Sequence, residues 1–320
     1  MSGLEPAESQ MKRVDRAFFI EGGAAVVTLV SNRIEAHDLT GDAAGTLTAS
    51  LRWQAKMTHA IHVVEAPDTG VVICTDTSGR HMALEARTGA ERWRTTRSGE
   101  GHAGIVVPDL TGTGTGGEMF VYVTWTGAMQ WLDPVTGAAM GKPEGFEFGI
   151  RHLRQDTEGR MWVIRSDRYQ DGQKATRALA RLTLAPPDLT DVVRLDDDDA
   201  ACVTQDGGRV LTAGLQVPDP AVGEGRFERW RVLAVPGGET LASRDFAPEQ
   251  FGRFGMQLSP DGRHALGVIG TRALVLDMET LATVAELACG VGRVPAFHPG
   301  GRHLLVCDGT CTRIVPIAAA

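Results

Sequence analysis

Arg253 and Arg293 occur in similar settings, FGRFG and VGRVP. His102, the pair Asp198 and Asp199, and His59 stand at comparable distances ahead of short apolar runs. A guanidinium stays charged at any physiological pH and grips oxyanions through a planar fork of donors. An imidazole titrates near neutrality and can carry a proton to or from a reacting group. If the fold brings these side chains to one opening, they form a site for a small polar or anionic molecule. His102 is then the candidate for proton transfer. No catalytic motif fixes the chemistry further: the chain lacks Gly-x-Ser-x-Gly, His-Glu-x-x-His and a phosphate-binding P-loop.

Metal-binding patterns are weak. In the loop from Asp109 to Glu118, Asp109, Thr111 and Thr113 alternate like the ligands of a calcium loop, and Glu118 comes late. Ca²⁺ takes about 6–8 oxygens, with carboxylates carrying much of the charge, so two carboxylates make a poor set. A turn that keeps its geometry without the ion is the better reading. His59 and His62 are three residues apart on a strand approach, where side chains alternate, so they should diverge. Cys307 and Cys311 flank Asp308-Gly309-Thr310 with no second Cys or His pair nearby, and reduced thiols are expected. Asp196–Asp199 reads as a solvated connection whose last two residues reach the opening. No metal and no cofactor are expected.

The elements that must position these residues are most regular in Phe254–Leu287, FGMQLSPDGRHALGVIGTRALVLDMETLATVAEL. Met256–Leu258, Ala265–Ile269, Arg272–Leu276 and Thr283–Leu287 are short apolar runs separated by turn residues. Such runs are strands, and four in succession make an antiparallel meander, one blade of a β-propeller. Third-strand markers recur at Ile34, Met82, Met129, Leu179, Trp230, Leu274 and Ile314. Their spacing is that of propeller blades, and they predict an all-β, seven-bladed propeller of four-stranded blades. Innermost strands start at one mouth of the channel. Counting back from each Pro-Asp-type turn places His59, His102, Phe148/Gly149, Asp198, Asp199, Arg253 and Arg293 at that mouth.

The seventh unit runs out of sequence after three strands. A propeller must close, so Met11–Arg16 is expected to pair with Arg313–Ile317 and complete the last blade. Residues 1–10 then form a disordered tail, and residues 11–320 a single propeller domain. Insertions between the second and third strands of units four and five, DRYQDGQKATR and QVPDPAVGEGRFER, carry Tyr169 and Phe227. Aromatic, mixed-charge loops of this kind suit a protein contact. The six Trp residues recur in blade strands and read as packing. Asp38, Glu85, Asp133 and Asp277 each follow a third strand, and a carboxylate there can cap its own turn.

Net charge is −8, and four of the 32 basic residues are Lys. Neither a basic stripe nor an apolar run of membrane-spanning length is present, so neither nucleic acid nor a membrane is the expected partner. The first sixteen residues lack the apolar core of a signal peptide, and a cytoplasmic location is the expectation.

Several stretches resemble known propeller repeats. RALVLDMETLATVAELACGVGRVPAFHPGGRHLLV resembles the YVTN-type repeat. MALEARTGAERW and MQWLDPVTGAAM are similar to the quinoprotein-like repeat, and SPDGR and HPGGR to turns of WD-repeat proteins. The Trp-Asp dipeptide is absent; Leu276-Asp277 and His37-Asp38 stand in its place, and Gly101-His102 alone matches the Gly-His that precedes a WD repeat. The adjacent cysteines of quinoprotein dehydrogenases are also absent, so their cofactor does not carry over. The resemblance implies a fold and not an activity. The expected function is a non-enzymatic scaffold that binds a protein or peptide. The alternative is a propeller enzyme of hydrolase, lactonase or lyase type, acting on a small anionic substrate at the channel mouth.

Overall fold

The computed structural model describes residues 16–30, 32–41, 47–96, 101–108, 117–124, 128–141, 144–146, 149–166, 177–184, 187–195, 200–216, 227–246, 256–269, 271–290, 295–307 and 312–317. Among them, strands form seven antiparallel sheets. Blade 1 holds β1 (Arg16–Ile20), β2 (Ala25–Val30), β3 (Arg33–Gly41) and β4 (Leu47–Lys56). Blade 2 holds β5 (Ala60–Ala66), β6 (Val71–Asp76), β7 (Arg80–Glu85) and β8 (Glu91–Thr96). Blade 3 holds β9 (Gly101–Pro108), β10 (Glu118–Thr124), β11 (Ala128–Leu132) and the short β12 (Glu144–Gly145). Blade 4 holds β13 (Gly149–Gln155), β14 (Met161–Ser166), β15 (Arg177–Leu184) and β16 (Pro187–Arg194). Blade 5 holds β17 (Ala200–Val203), β18 (Arg209–Gln216), β19 (Phe227–Ala234) and β20 (Thr240–Phe246). Blade 6 holds β21 (Gln257–Leu258), β22 (His264–Ile269), β23 (Arg272–Asp277) and β24 (Thr283–Ala288). Blade 7 holds β25 (Ala296–Phe297), β26 (His303–Cys307) and β27 (Thr312–Pro316). Each sheet runs in chain order, so every blade is a meander.

All seven third-strand markers fall in third strands, β3, β7, β11, β15, β19, β23 and β27. The one helical element among the described residues is a single 3-10 turn, Glu21–Gly23. The innermost strands touch in a closed cycle, β1–β5–β9–β13–β17–β21–β25 and back to β1. The ring closes through blade 7 against blade 1. Arg16, assigned from sequence to the closing strand, instead opens β1 and pairs with Leu29. Residues 11–15 and the proposed tail lie outside the described residues.

The core follows from the two-residue period of a strand placed between two neighbours. Met119, Val121 and Val123 of β10 face blade 4, while Phe120 and Tyr122 face blade 2. Both faces of the strand are covered, and β10 is buried throughout. β2 and β6 show the same unbroken burial, and the outer strand β24 alternates with exposed positions. The buried side chains group into seven clusters, one for each seam between blades. Tryptophans stitch these seams as expected. Trp53 Nε1 of blade 1 donates to the Ala86 carbonyl of blade 2 at 2.7 Å, and Trp93 of blade 2 to Pro134 of blade 3 at 2.8 Å.

Candidate functional site

The meander gives the ring two unlike faces. The turns joining first to second and third to fourth strands lie on one, the turn face. The hairpins joining second to third strands and the links between blades lie on the other, the loop face.

On the turn face the polar groups are engaged in structure. Asp133 Oδ1 accepts the Val135 and Thr136 amides at 2.8 and 2.9 Å. Asp277 Oδ1 accepts those of Glu279 and Thr280 at 3.0 and 2.8 Å, and the Thr280 hydroxyl at 2.8 Å. Glu85 accepts the Thr88 hydroxyl at 2.8 Å. Asp38 departs from the expected turn-capping role: it accepts Arg52 Nε at 2.8 Å, and the same guanidinium reaches both Glu21 oxygens at 2.8 Å. Those bonds, with burial opposing them, raise Arg52 and lower Glu21.

Bonds between blades continue around this face. The Glu21 amide donates to Glu65 at 2.8 Å, and the Asp68 and Thr69 amides to Glu118 at 3.2 and 3.1 Å. Glu118, the late carboxylate of the calcium-like loop, is therefore buried and committed to the neighbouring blade; residues 109–116 lie outside the described residues. Thr157 donates to the Gln205 carbonyl at 2.8 Å and Arg160 to Asp206 at 3.0 Å. His298 Nε2 donates to the Gly23 carbonyl at 3.1 Å across the closing seam.

Asp156 gathers four donors in its turn. It accepts the Glu158 and Arg160 amides at 3.0 and 2.9 Å, Arg160 Nε at 2.7 Å and Trp162 Nε1 at 2.8 Å. Burial opposes its charge, but these donors outweigh burial and hold it below the usual aspartate range. Asp76 repeats the arrangement on a loop-face hairpin, taking the Ser78 and Arg80 amides at 2.8 and 2.9 Å and the Arg80 guanidinium.

On the loop face, His59 is exposed, and its backbone has φ +56°. Its carbonyl accepts the Thr77 amide at 3.3 Å, which ties the start of the innermost strand to the adjacent hairpin. Asp198, Asp199, Arg253, Arg293 and Tyr169 lie outside the described residues. His102 and Phe227 are placed by backbone alone, His102 in β9 and Phe227 in β19. Of the residues predicted at the mouth, His59 is described with its side chain, and His102 and Gly149 by backbone, Gly149 opening β13 opposite Ser166; Phe148 lies outside the described residues.

It also brings together Arg16 and His62, a pairing that spacing did not predict. Arg16 opens β1, and its Nη1 donates to the Ile61 carbonyl at 2.7 Å. His62 follows an irregularity in the β5–β6 register and packs edge-on against Phe18, with ring centroids 5.8 Å apart. Its ring is partly exposed, while Nδ1 is sealed without a hydrogen-bond partner. Burial, and then the charge of Arg16, pushes His62 down to about 4, so the imidazole is neutral at neutral pH. Burial also lowers Arg16.

The two insertions rise from paired stems. β14–β15 pairing ends at Ser166↔Arg177, and β18–β19 pairing at Gln216↔Phe227, so each stem closes a ten-residue loop. The equivalent hairpins of blades 1 and 6 close over two residues, after Val30↔Arg33 and Ile269↔Arg272. Blades 4 and 5 are neighbours that share one buried cluster. The two stems therefore end on the same face in neighbouring blades.

No protein-family profile matches the chain, and no curated protein matches it. Among solved structures it is similar to the Cps50 (Swd1) β-propeller domain of Myceliophteria thermophila, with TM-score 0.65 and 7% identity over 96% of this chain and 97% of that one. It is also similar to the C-terminal WD40 domain of Sif2, with TM-score 0.64 and 10% identity over 99% of this chain and 98% of that one. At these identities the likeness concerns the fold.

Proposed function

We propose that this propeller is a protein-binding platform that recognises its partner on the loop face, over blades 4 and 5. The observation that carries this reading is the pair of ten-residue loops on ladder-paired stems in adjacent blades. A rigid ring holds the stems still, so variation is concentrated in the loops. The loop sequences, DRYQDGQKAT and VPDPAVGEGR, combine both charges with Tyr169, and Phe227 closes the second stem. Aromatic and Arg side chains anchor protein interfaces more often than Lys does. The turn face is a poorer candidate, since the carboxylates described there are engaged in its own bonds.

The test shortens 167–176 and 217–226 to the two-residue hairpin of blade 6, which preserves strand register. The doubly shortened protein should melt within a few degrees of wild type and lose the partner that wild type retains on affinity capture. Cross-links from wild type to that partner should fall in the two loops. Retention of the same partner by the shortened protein rejects the assignment.

A further inference from the structure

We propose that the loop-face seam between blades 1 and 2 binds a carboxylate, with the Arg16 guanidinium as anchor and His62 beside it. This goes beyond the protein-binding reading and concerns the other side of the ring from the long loops.

Arg16 carries five N–H donors, and one is used, on the Ile61 carbonyl. No carboxylate among the described residues pairs with it. Among the described acids of blades 1 and 2, Asp38 and Glu21 are engaged with Arg52, Asp76 with Arg80, Glu65 with the Glu21 amide, Glu35 with Arg33 and His37, Glu85 with Arg92 and Glu91 with Arg94, while Asp68 lies in the β5–β6 turn on the opposite face. A partly buried cation without a counter-charge is costly to keep, and an incoming anion removes that cost. Arg16 is not sealed, so such an anion can reach it.

The neighbouring groups narrow the class. The sealed, unpartnered atom of His62 is Nδ1, which leaves Nε2 as the nitrogen open to a ligand. A neutral imidazole protonated there donates one hydrogen bond and adds no charge. The seam thus offers a net charge of one and a planar fork of donors, which matches a monocarboxylate better than a phosphate dianion. Phe18, itself partly buried, packs edge-on against the His62 ring, and partly buried Ile61 supplies the carbonyl that Arg16 grips, so apolar side chains belong to the same seam. A carboxylate on a short aliphatic body fits this pairing. The group has two possible sources, a free small carboxylic acid or the C-terminus of a peptide.

Titration calorimetry on the full-length protein tests it, using sodium butyrate, butyramide and inorganic phosphate at matched ionic strength. Butyrate should bind saturably and butyramide should not. Arg16→Gln should weaken butyrate at least tenfold, and Arg16→Lys, which keeps charge but loses the fork, by a smaller factor. Binding that is indifferent to Arg16→Gln, equal binding of butyramide, tighter binding of phosphate, or no saturable butyrate binding by folded wild type each overturns the proposal. In case the variant fails to fold, the His62 imidazole resonances of wild type should shift on butyrate saturation, and unmoved resonances overturn it equally. A short peptide with a free C-terminus, set against its amidated form, assigns the source: discrimination between them points to a peptide, and equal weakness of both to a free acid.

Discussion

His62 illustrates how a single side chain takes its chemistry from a neighbouring blade. Its value near 4 has two causes, burial first and Arg16 second, and both depend on packing between β1 and β5. An unfolded histidine titrates near about 6.5. As pH falls, the unfolded chain therefore binds this proton before the folded chain does. Stability contributed by neutral His62 is full above about 6.5 and drains away as pH falls towards about 4. The window is distinct from that of Asp206 and Asp277. Those are lowered chiefly by hydrogen bonds from Thr204 and Thr280, and their contribution is lost at more acidic pH, through and below the ordinary aspartate range. His37 and His298 are also lowered by burial and add to the wild-type slope, so the comparison must be with a variant. Urea midpoints at pH 7 and pH 4.5 should show wild type losing more stability than His62→Gln, by about 1–3 kcal/mol. Equal losses would show that His62 is not held neutral by the fold. None of this was legible in the sequence, where His62 was read beside His59 and Arg16 as part of a closing strand. Asp133 and Asp277 were legible because their partners lie two and three residues away. Asp38 was not, because Arg52 competes for it from an adjacent strand.

At the scale of elements, one turn recurs between third and fourth strands. The fifth-residue amide donates to the first-residue carbonyl at 2.8 Å in Glu85–Gly89, Asp133–Gly137, Ala234–Gly238 and Asp277–Leu281. The fifth residue has φ +71°, +71°, +79° and +55° respectively. That left-handed conformation favours glycine, and three of the four positions have it. In the first two turns the glycine also seats a tryptophan of the preceding blade. A Cβ on Gly89 would stand 2.7 Å from the Trp53 ring, and one on Gly137 2.7 Å from Trp93. Gly70 provides a control, with φ +63° and nothing within 4 Å of a Cβ. Gly70→Ala should cost about 1 kcal/mol from backbone conformation, and Gly89→Ala about 2–4 kcal/mol because the ring must also move. Thermal or urea unfolding of both variants measures the difference, and equal costs would mean that Trp53 yields freely. The Asp/Glu-x-x-Thr-Gly pattern and the Trp-bearing strands made two of these turns readable in sequence. The blade 5 turn, VPGG, and the blade 6 turn, with Leu281 in place of glycine, lack one or both marks. In blade 6 Asp277 still caps the turn as its sequence predicts, and in blade 5 the turn is imposed by the ladder on either side of it.

Across the whole molecule the seven seams, as the described residues fill them, are unequal, and the inequality predicts where the ring opens. The seam of blades 1 and 2 buries a large cluster that includes Trp53, Met57, Met82 and Leu84. The closing seam buries, among the described residues, Ala17, Val26, Val30 and Leu305, with Phe19 and Ile314 partly covered beside them. Less apolar area leaves water there, so separating blades 7 and 1 costs less than separating any well-filled pair. The His298 bridge reinforces this thin seam. Its Nε2–H reaches the Gly23 carbonyl at 3.1 Å, its Nδ1 accepts the Gly300 amide at 3.0 Å, and its ring meets Phe19 edge-on with centroids 5.0 Å apart. In native-state hydrogen exchange, β26 and β27 should therefore open at lower free energy than β6 or β10, which are covered on both faces. Replacing His298 by Ala leaves the Gly23 carbonyl without this partner and should lower the opening energy of β26 and β27 by about 1–2 kcal/mol. Protection in β10, on the far side of two intact seams, should change by less than half as much. Uniform loss of protection around the ring would instead mean that the propeller opens as one cooperative unit and that the closing seam, thin as it is, does not act as its gate.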